Sequence, residues 1–270
     1  MRLTERQLAM LQEMGIAHWQ PASQSVSQSV SQPVSQPSAQ PVSQPAAPAV
    51  PQAATPPSRE AAAQPVALPA AVAALDWAGL RQAVAQCQAC ALGATRHQTV
   101  FGVGSTRAHW MIVGEAPGEQ EDLRGEPFVG AAGQLLDAML RAVGLSRADD
   151  SALKPVHQVY IANTLKCRPP RNRNPEREEL ARCEPFLVRQ VELLRPRLIL
   201  AMGRFAVQSL LRTEEPIGRL RGRVHRYRGV PVVVTYHPAY LLRNLPDKAK
   251  AWEDLCLALQ TMESPPAAGA

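Results

Sequence analysis

Four of the five cysteines fall into two pairs. Cys87 and Cys90 form C-x2-C, and after 76 further residues Cys167 and Cys183 form C-x15-C. Four thiolates are the ligand count of a tetrahedral zinc site and equally of a cubane iron–sulfur cluster, and spacing leaves the two open. A redox C-x-x-C normally opens a helix after a strand, whereas this pair follows a helical pattern. Closing so long a loop would, by the chain-entropy argument for disulfides, stabilise the fold by on the order of 4 kcal/mol. The fifth, Cys256, lies in AWEDLCLALQ beside Trp252, Leu255 and Leu259 and reads as core.

Three polar motifs could also carry chemistry: GEAPG with Glu115, ANTLKC with Asn163, and TYHP with His237. They need a scaffold that brings them together. HWMIVG, VHQVYIAN, RLILAMG and VPVVVTYHP are buried-strand patterns, and each ends at or just before a motif or a glycine. Between them lie amphipathic segments. GQLLDAMLRAVG has Leu135, Leu136, Met139, Leu140 and Val143 apolar, with Gly144 as terminator. NPEREELARC starts a helix with Asn174 as cap, and Pro185 is expected to kink or restart it. Asp76 caps a helix with Trp77, Leu80 and Val84 inward, and Asp247 caps the last one. Alternating strands and helices predict an α/β fold whose four-stranded, mainly parallel sheet carries helices on both faces. Sites in such sheets gather at the carboxyl ends of the strands, where all three motifs lie.

The chain of 270 residues is unevenly composed. From Gln20 to Leu75 only Arg59 and Glu60 are charged, and SQPVSQPSAQPVSQPAAP repeats, which reads as a disordered, partly polyproline linker. Residues 1–19 look like a short helix able to dock on a protein partner, with a Thr4–Gln7 capping box and Leu8, Leu11 and Met14 on one face. A folded domain is expected over 76–262 and a disordered tail over 263–270. Basic residues outnumber acidic ones 29 to 23, and residues 1–75 balance to zero, so the net +6 sits on the folded part. That suggests a polyanionic partner. No segment approaches the roughly eighteen apolar residues of a membrane span, and nothing reads as a signal peptide. The expectation is a monomeric cytoplasmic protein, nucleoid-associated if the polyanion is DNA, in a reducing compartment where clustered cysteines bind metal.

With these motifs placed, the chain from about Asp76 to Gln260 resembles the family 4 uracil-DNA glycosylases. The likeness rests on C-x2-C, GEAPGEQED, GEPFVGAAGQLLD, YIANTLKCRPPRNRNP, C-x15-C and YHPAYLLR, in that order. It implies a three-layer α/β/α sandwich, a [4Fe-4S] cluster on Cys87, Cys90, Cys167 and Cys183, and hydrolytic excision of uracil from DNA. Uracil must leave the stack before its glycosidic bond is reachable, so a pocket must read a flipped base. The resemblance implies a pocket of Gly114, Glu115, Ala116, Phe128, Asn163 and His237. Phe128 can stack on the base, and the Asn163 amide can match uracil O4 and N3–H. The matching histidine, His237, donates to uracil O2 as negative charge builds there. Family 1 enzymes place a water-orienting aspartate where this chain has Ala116, so water activation falls to Glu115 or to leaving-group stabilisation.

An apolar residue after YHP can wedge into the gap left by the base, with Leu241 the first choice and Leu242 the second. Arg243 suits a neighbouring phosphate. Two basic runs, Arg168, Arg171 and Arg173, and Arg219, Arg221, Arg223, Arg226 and Arg228, flank strand ends and are expected to contact the DNA backbone with steep salt dependence. Two rivals remain. The related subfamily that becomes trapped covalently on DNA carries a histidine-bearing basic insertion, and RPPRNRNPEREELARC has no histidine. The other is a stapled nucleic-acid-binding module without chemistry.

Overall fold

The computed structural model describes residues 70–263. The helix expected in residues 1–19, most of the linker and the tail after 263 lie outside the described residues. The strands are β1 (Val103–Gly104), β2 (Trp110–Gly114), β3 (Val159–Asn163), β4 (Leu198–Met202), β5 (Val224–Tyr227) and β6 (Val230–Thr235). The helices are α1 (Ala70–Ala73), α2 (Trp77–Ala85), α3 (Leu92–Thr95), α4 (Glu119–Arg124), α5 (Ala131–Ala142), α6 (Arg177–Leu194), α7 (Arg204–Leu211), α8 (Ile217–Leu220), α9 (Pro238–Leu241) and α10 (Asp247–Glu263).

The sheet runs β1-β3-β2-β4-β6-β5. Its centre is the expected set of four parallel strands, all but the start of β6 buried. Short antiparallel strands β1 and β5 extend it to six at the two edges. Side chains alternate between its faces with period two. Ile112, Ile161, Leu200 and Val233 meet α5 and α10 through Leu136, Leu140, Trp252 and Leu255. Met111, Val113, Ala201 and Val234 meet α6 and α7 through Leu187, Val191, Val207 and Leu210 on the other face. The result is the three-layer α/β/α sandwich.

Three local expectations are corrected. Pro185 lies inside α6, which runs unbroken for 18 residues, because Cys183, Phe186 and Leu187 are buried on either side of it. The α6 cap is Glu176 rather than Asn174, since Glu179 reaches back to accept from the Glu176 N–H at 2.9 Å. Packed chain also begins before Asp76: α1 precedes it, Val72 and Leu75 pack beside the cysteines, and Arg189 Nε donates to the Leu75 carbonyl at 2.8 Å. Asp76 itself caps α2 as expected, accepting from Gly79 N–H at 2.8 Å.

Candidate active site and cysteine cavity

The carboxyl ends of β2 and β3 are zipped together. Gly114 pairs with Asn163 in register. Beyond it, Thr164 N–H donates to the Gly114 carbonyl at 3.0 Å and Leu165 N–H to the Glu115 carbonyl at 3.1 Å. The Thr164 hydroxyl adds a second bond to the Glu115 carbonyl at 2.5 Å. Gly114 is where three groups close in. A Cβ there would stand 2.7 Å from Phe128 Cζ and closer still to Asn163 Oδ1, so only glycine fits. Phe128 in turn stacks on His237, with ring centroids 5.4 Å apart and planes inclined by 28°. Gly114, Phe128, Asn163 and His237 thus form one constellation.

Each member is held by its surroundings. Phe128 has a left-handed backbone, φ 56°, which a bulky residue adopts only when neighbours enforce it. Arg147 grips the Pro127 and Phe128 carbonyls at 3.2 and 3.1 Å and pairs with Asp137 of α5 at 2.8 Å. Glu121 accepts from the Val129, Gly130 and Gly118 N–H groups at 2.9, 3.0 and 3.1 Å, joining both ends of the loop. A Cβ at Gly133 would overlap the Phe128 carbonyl, so α5 can lie this close only with glycine there. His237 Nδ1 accepts from Ala239 N–H at 3.1 Å, which leaves the proton of the neutral ring on Nε2. Burial, and next Arg243, lower its pKa to about 4, against an opposing pull from Glu121. The Asn163 side chain is buried and its Oδ1 has no partner, the state of a group held ready for a ligand. Burial raises the Glu115 carboxyl to about 7, with Arg204 pulling the other way. Ala116 departs from the constellation and packs on the cysteine side.

The four cysteines line one small cavity together with Arg96, Lys166, Arg182 and Phe186. Arg96 donates to Cys167 Sγ at 3.2 Å and to the Ala85 carbonyl of α2 at 3.1 Å. The Lys166 N–H donates to Cys183 Sγ at 3.3 Å. Burial raises the Cys167 thiol and pushes the Cys183 thiol up to about 12. Among the described residues, no three Cys, His, Asp or Glu side chains are grouped to hold a single ion. Cys256 stands apart, half-buried against the α10 core.

Several expected DNA contacts change. Leu241, the first choice for the wedge, is fully buried in the core with α5, whereas Leu242 is 42% exposed. Arg221 is engaged with Asp254, a carboxylate buried completely, and with Glu253, both at 3.1 Å. Arg173 makes a two-pronged bond to the buried Glu179 at 2.6 and 3.0 Å. Both arginines serve the fold, because a buried carboxylate must be paired. Arg223 and Arg243 are exposed, as is Arg171, whose backbone has φ 54°. Sequence reasoning missed Glu121, Arg147, Lys166 and Gln190. Glu121 and Lys166 lie within the matched GEAPGEQED and YIANTLKCRPPRNRNP motifs, yet their contacts, like those of Arg147 and Gln190, show only in three dimensions.

Residues 101–256 match the model of the uracil DNA glycosylase superfamily. A type-4 uracil-DNA glycosylase of Archaeoglobus fulgidus is 45% identical over 167 residues, 59% of this chain and 79% of that protein. One from Saccharolobus solfataricus is 40% identical over 192 residues, covering 68% of this chain and 85% of the relative. One from Pyrobaculum aerophilum is 40% identical over 191 residues, covering 68% and 93%.

Proposed function

The chain belongs to the type-4 uracil-DNA glycosylases and removes uracil from DNA, and from that membership we propose how the strand-end constellation performs the excision. The flipped uracil lies on the Phe128 ring with its polar edge toward Asn163. The amide carbonyl accepts from N3–H and the amide nitrogen donates to O4. Cytosine would oppose donor to donor and bare nitrogen to oxygen, leaving buried polar groups unpaired. Gly114 leaves the room that the Phe128 ring and the Asn163 amide need to close in on the base, where any side chain would intrude.

His237 donates from Nε2 to uracil O2. Because the ring is neutral it carries no charge to neutralise the base beforehand, and its bond tightens as the glycosidic bond breaks and electrons move onto the leaving uracil. A donor of this kind is worth about 3 kcal/mol of barrier. Glu115, with a carboxyl that ionises near neutrality, accepts a proton from the attacking water as it adds to the sugar. Leu242, not Leu241, fills the vacated stack, and Arg243, Arg171 and Arg223 contact phosphates.

Cys87, Cys90, Cys167 and Cys183 hold a [4Fe-4S] cluster. The donor set fits: four thiols round one cavity, with N–H donors on two of the sulfurs. When bound, the cluster supplies a four-point anchor between α2, the segment after β3 and α6. A monomeric enzyme working in the cytoplasm at the nucleoid, with residues 1–19 as a docking segment and 20–69 as a tether, completes the proposal.

The observation that carries this reading is the convergence of Asn163 and Phe128 on Gly114, with His237 stacked behind. Strand scission at uracil after alkali is the assay. Wild type cuts, and His237→Ala and Asn163→Ala each lose most of their rate; full activity in both variants would overturn the site.

A further inference from the structure

We propose that Lys166 is a positioning residue for uracil recognition, fixing the main chain of Asn163 from behind the pocket and so aiming its base-reading amide. The inference rests on the base-reading role given to Asn163 above. Lys166 is 1% exposed, although its neighbours in sequence read as a basic, DNA-facing run. Its Nζ donates to the Asn163 carbonyl at 2.8 Å and to Gln190 Oε1 at 2.7 Å. Gln190, itself fully buried on α6, is fixed through Nε2 by the Phe101 carbonyl at 2.9 Å and the Tyr160 hydroxyl at 3.2 Å. The ammonium is thus tethered to a rigid frame before it touches Asn163.

The need is local. β3 ends at Asn163, and the chain bends away toward Cys167 just where the side chain must be aimed. The Asn163 carbonyl is buried and takes the Lys166 ammonium as a donor, which fixes the peptide that carries the amide. Two hydrogen bonds to Glu115 hold the next residues from the front, and Lys166 holds the turn from the rear. An ammonium, whose hydrogen bonds are charge-assisted, does this more firmly than a neutral amide would. Because the Lys166 N–H also donates to Cys183 Sγ, one residue touches both the base reader and the cysteine cavity.

The test uses the full-length protein as purified, with Lys166→Met, Asn163→Ala and the double variant. Four quantities are read: inhibition by free uracil, affinity for DNA bearing an abasic-site analogue, single-turnover excision, and visible absorbance. Lys166→Met should weaken uracil inhibition and slow excision by about tenfold or more. Abasic-DNA affinity and absorbance should stay within about twofold of wild type, and in the Asn163→Ala background Lys166→Met should change uracil binding by less than about twofold. A loss additive to Asn163→Ala, or an equal fall in abasic-DNA affinity, would overturn the proposal. If Lys166→Met does not fold, Gln190→Leu removes the tether while keeping the lysine; it should show the same pattern more weakly, and unchanged uracil inhibition there sinks the idea. Asn163→Ala with normal uracil binding would instead reject the base-reading role itself.

Discussion

Burial moves the two titratable groups of the site in opposite directions, since it disfavours whichever form is charged. The imidazole of His237 falls to about 4 and the carboxyl of Glu115 rises to about 7. Between pH 5 and 9 His237 therefore stays neutral and contributes no titration to the rate. Glu115, the proposed base, is protonated below about 7 and becomes a carboxylate able to take a proton above it. The expected kcat/KM profile rises with pH through about 7. Glu115→Gln should flatten that limb at a low rate, and a rising limb that survives the substitution would assign the titration elsewhere. The same scale shows why Gly114 cannot be exchanged: the space its missing Cβ leaves is the space the ring and amide need.

At the scale of elements, α9 is a single turn whose last residue, Leu241, and cap, Leu242, have opposite fates. Leu241 turns into the core against α5 and Leu242 turns to solvent, while the Tyr240 hydroxyl ties the turn to Asp247 of α10 at 2.6 Å. Leu241→Ala should cost about 2–5 kcal/mol of stability, measured by denaturant unfolding. Leu242→Ala should leave stability nearly unchanged and slow excision from duplex DNA more than from single strands, where no stack needs filling. The four parallel strands were legible because a strand buried on both faces reads as an apolar run, as in WMIVG and LILAM. β1 and β5 were not: one is two residues long, and the other, VHRY, alternates half-exposed positions in a basic stretch. The constellation could be found by motif, since Asn163 and His237 sit at strand ends. What a motif does not encode is direction: it does not tell that Leu241 is buried and Leu242 exposed, or that Arg173 and Arg221 pair with buried carboxylates.

At the scale of the molecule, the cysteine cavity joins α2 to α6 and to the segment after β3, elements far apart in sequence. Oxidative removal of the proposed cluster, followed by visible absorbance and thermal unfolding together, should lower stability by on the order of 4 kcal/mol, the worth of a closure over so long a loop. Activity should fall with it. Unchanged unfolding after complete bleaching would deny the cavity its anchoring role. The order of parts along the chain has a consequence for biosynthesis. Translation delivers Cys87, Cys90, Cys167 and Cys183 first, then β4, β5 and β6, and His237 only after them. A nascent chain therefore carries all four proposed cluster ligands before it carries His237, the proposed donor to the leaving base. Completion of the cysteine set and completion of the strand-end constellation are thus ordered in time by the direction of synthesis.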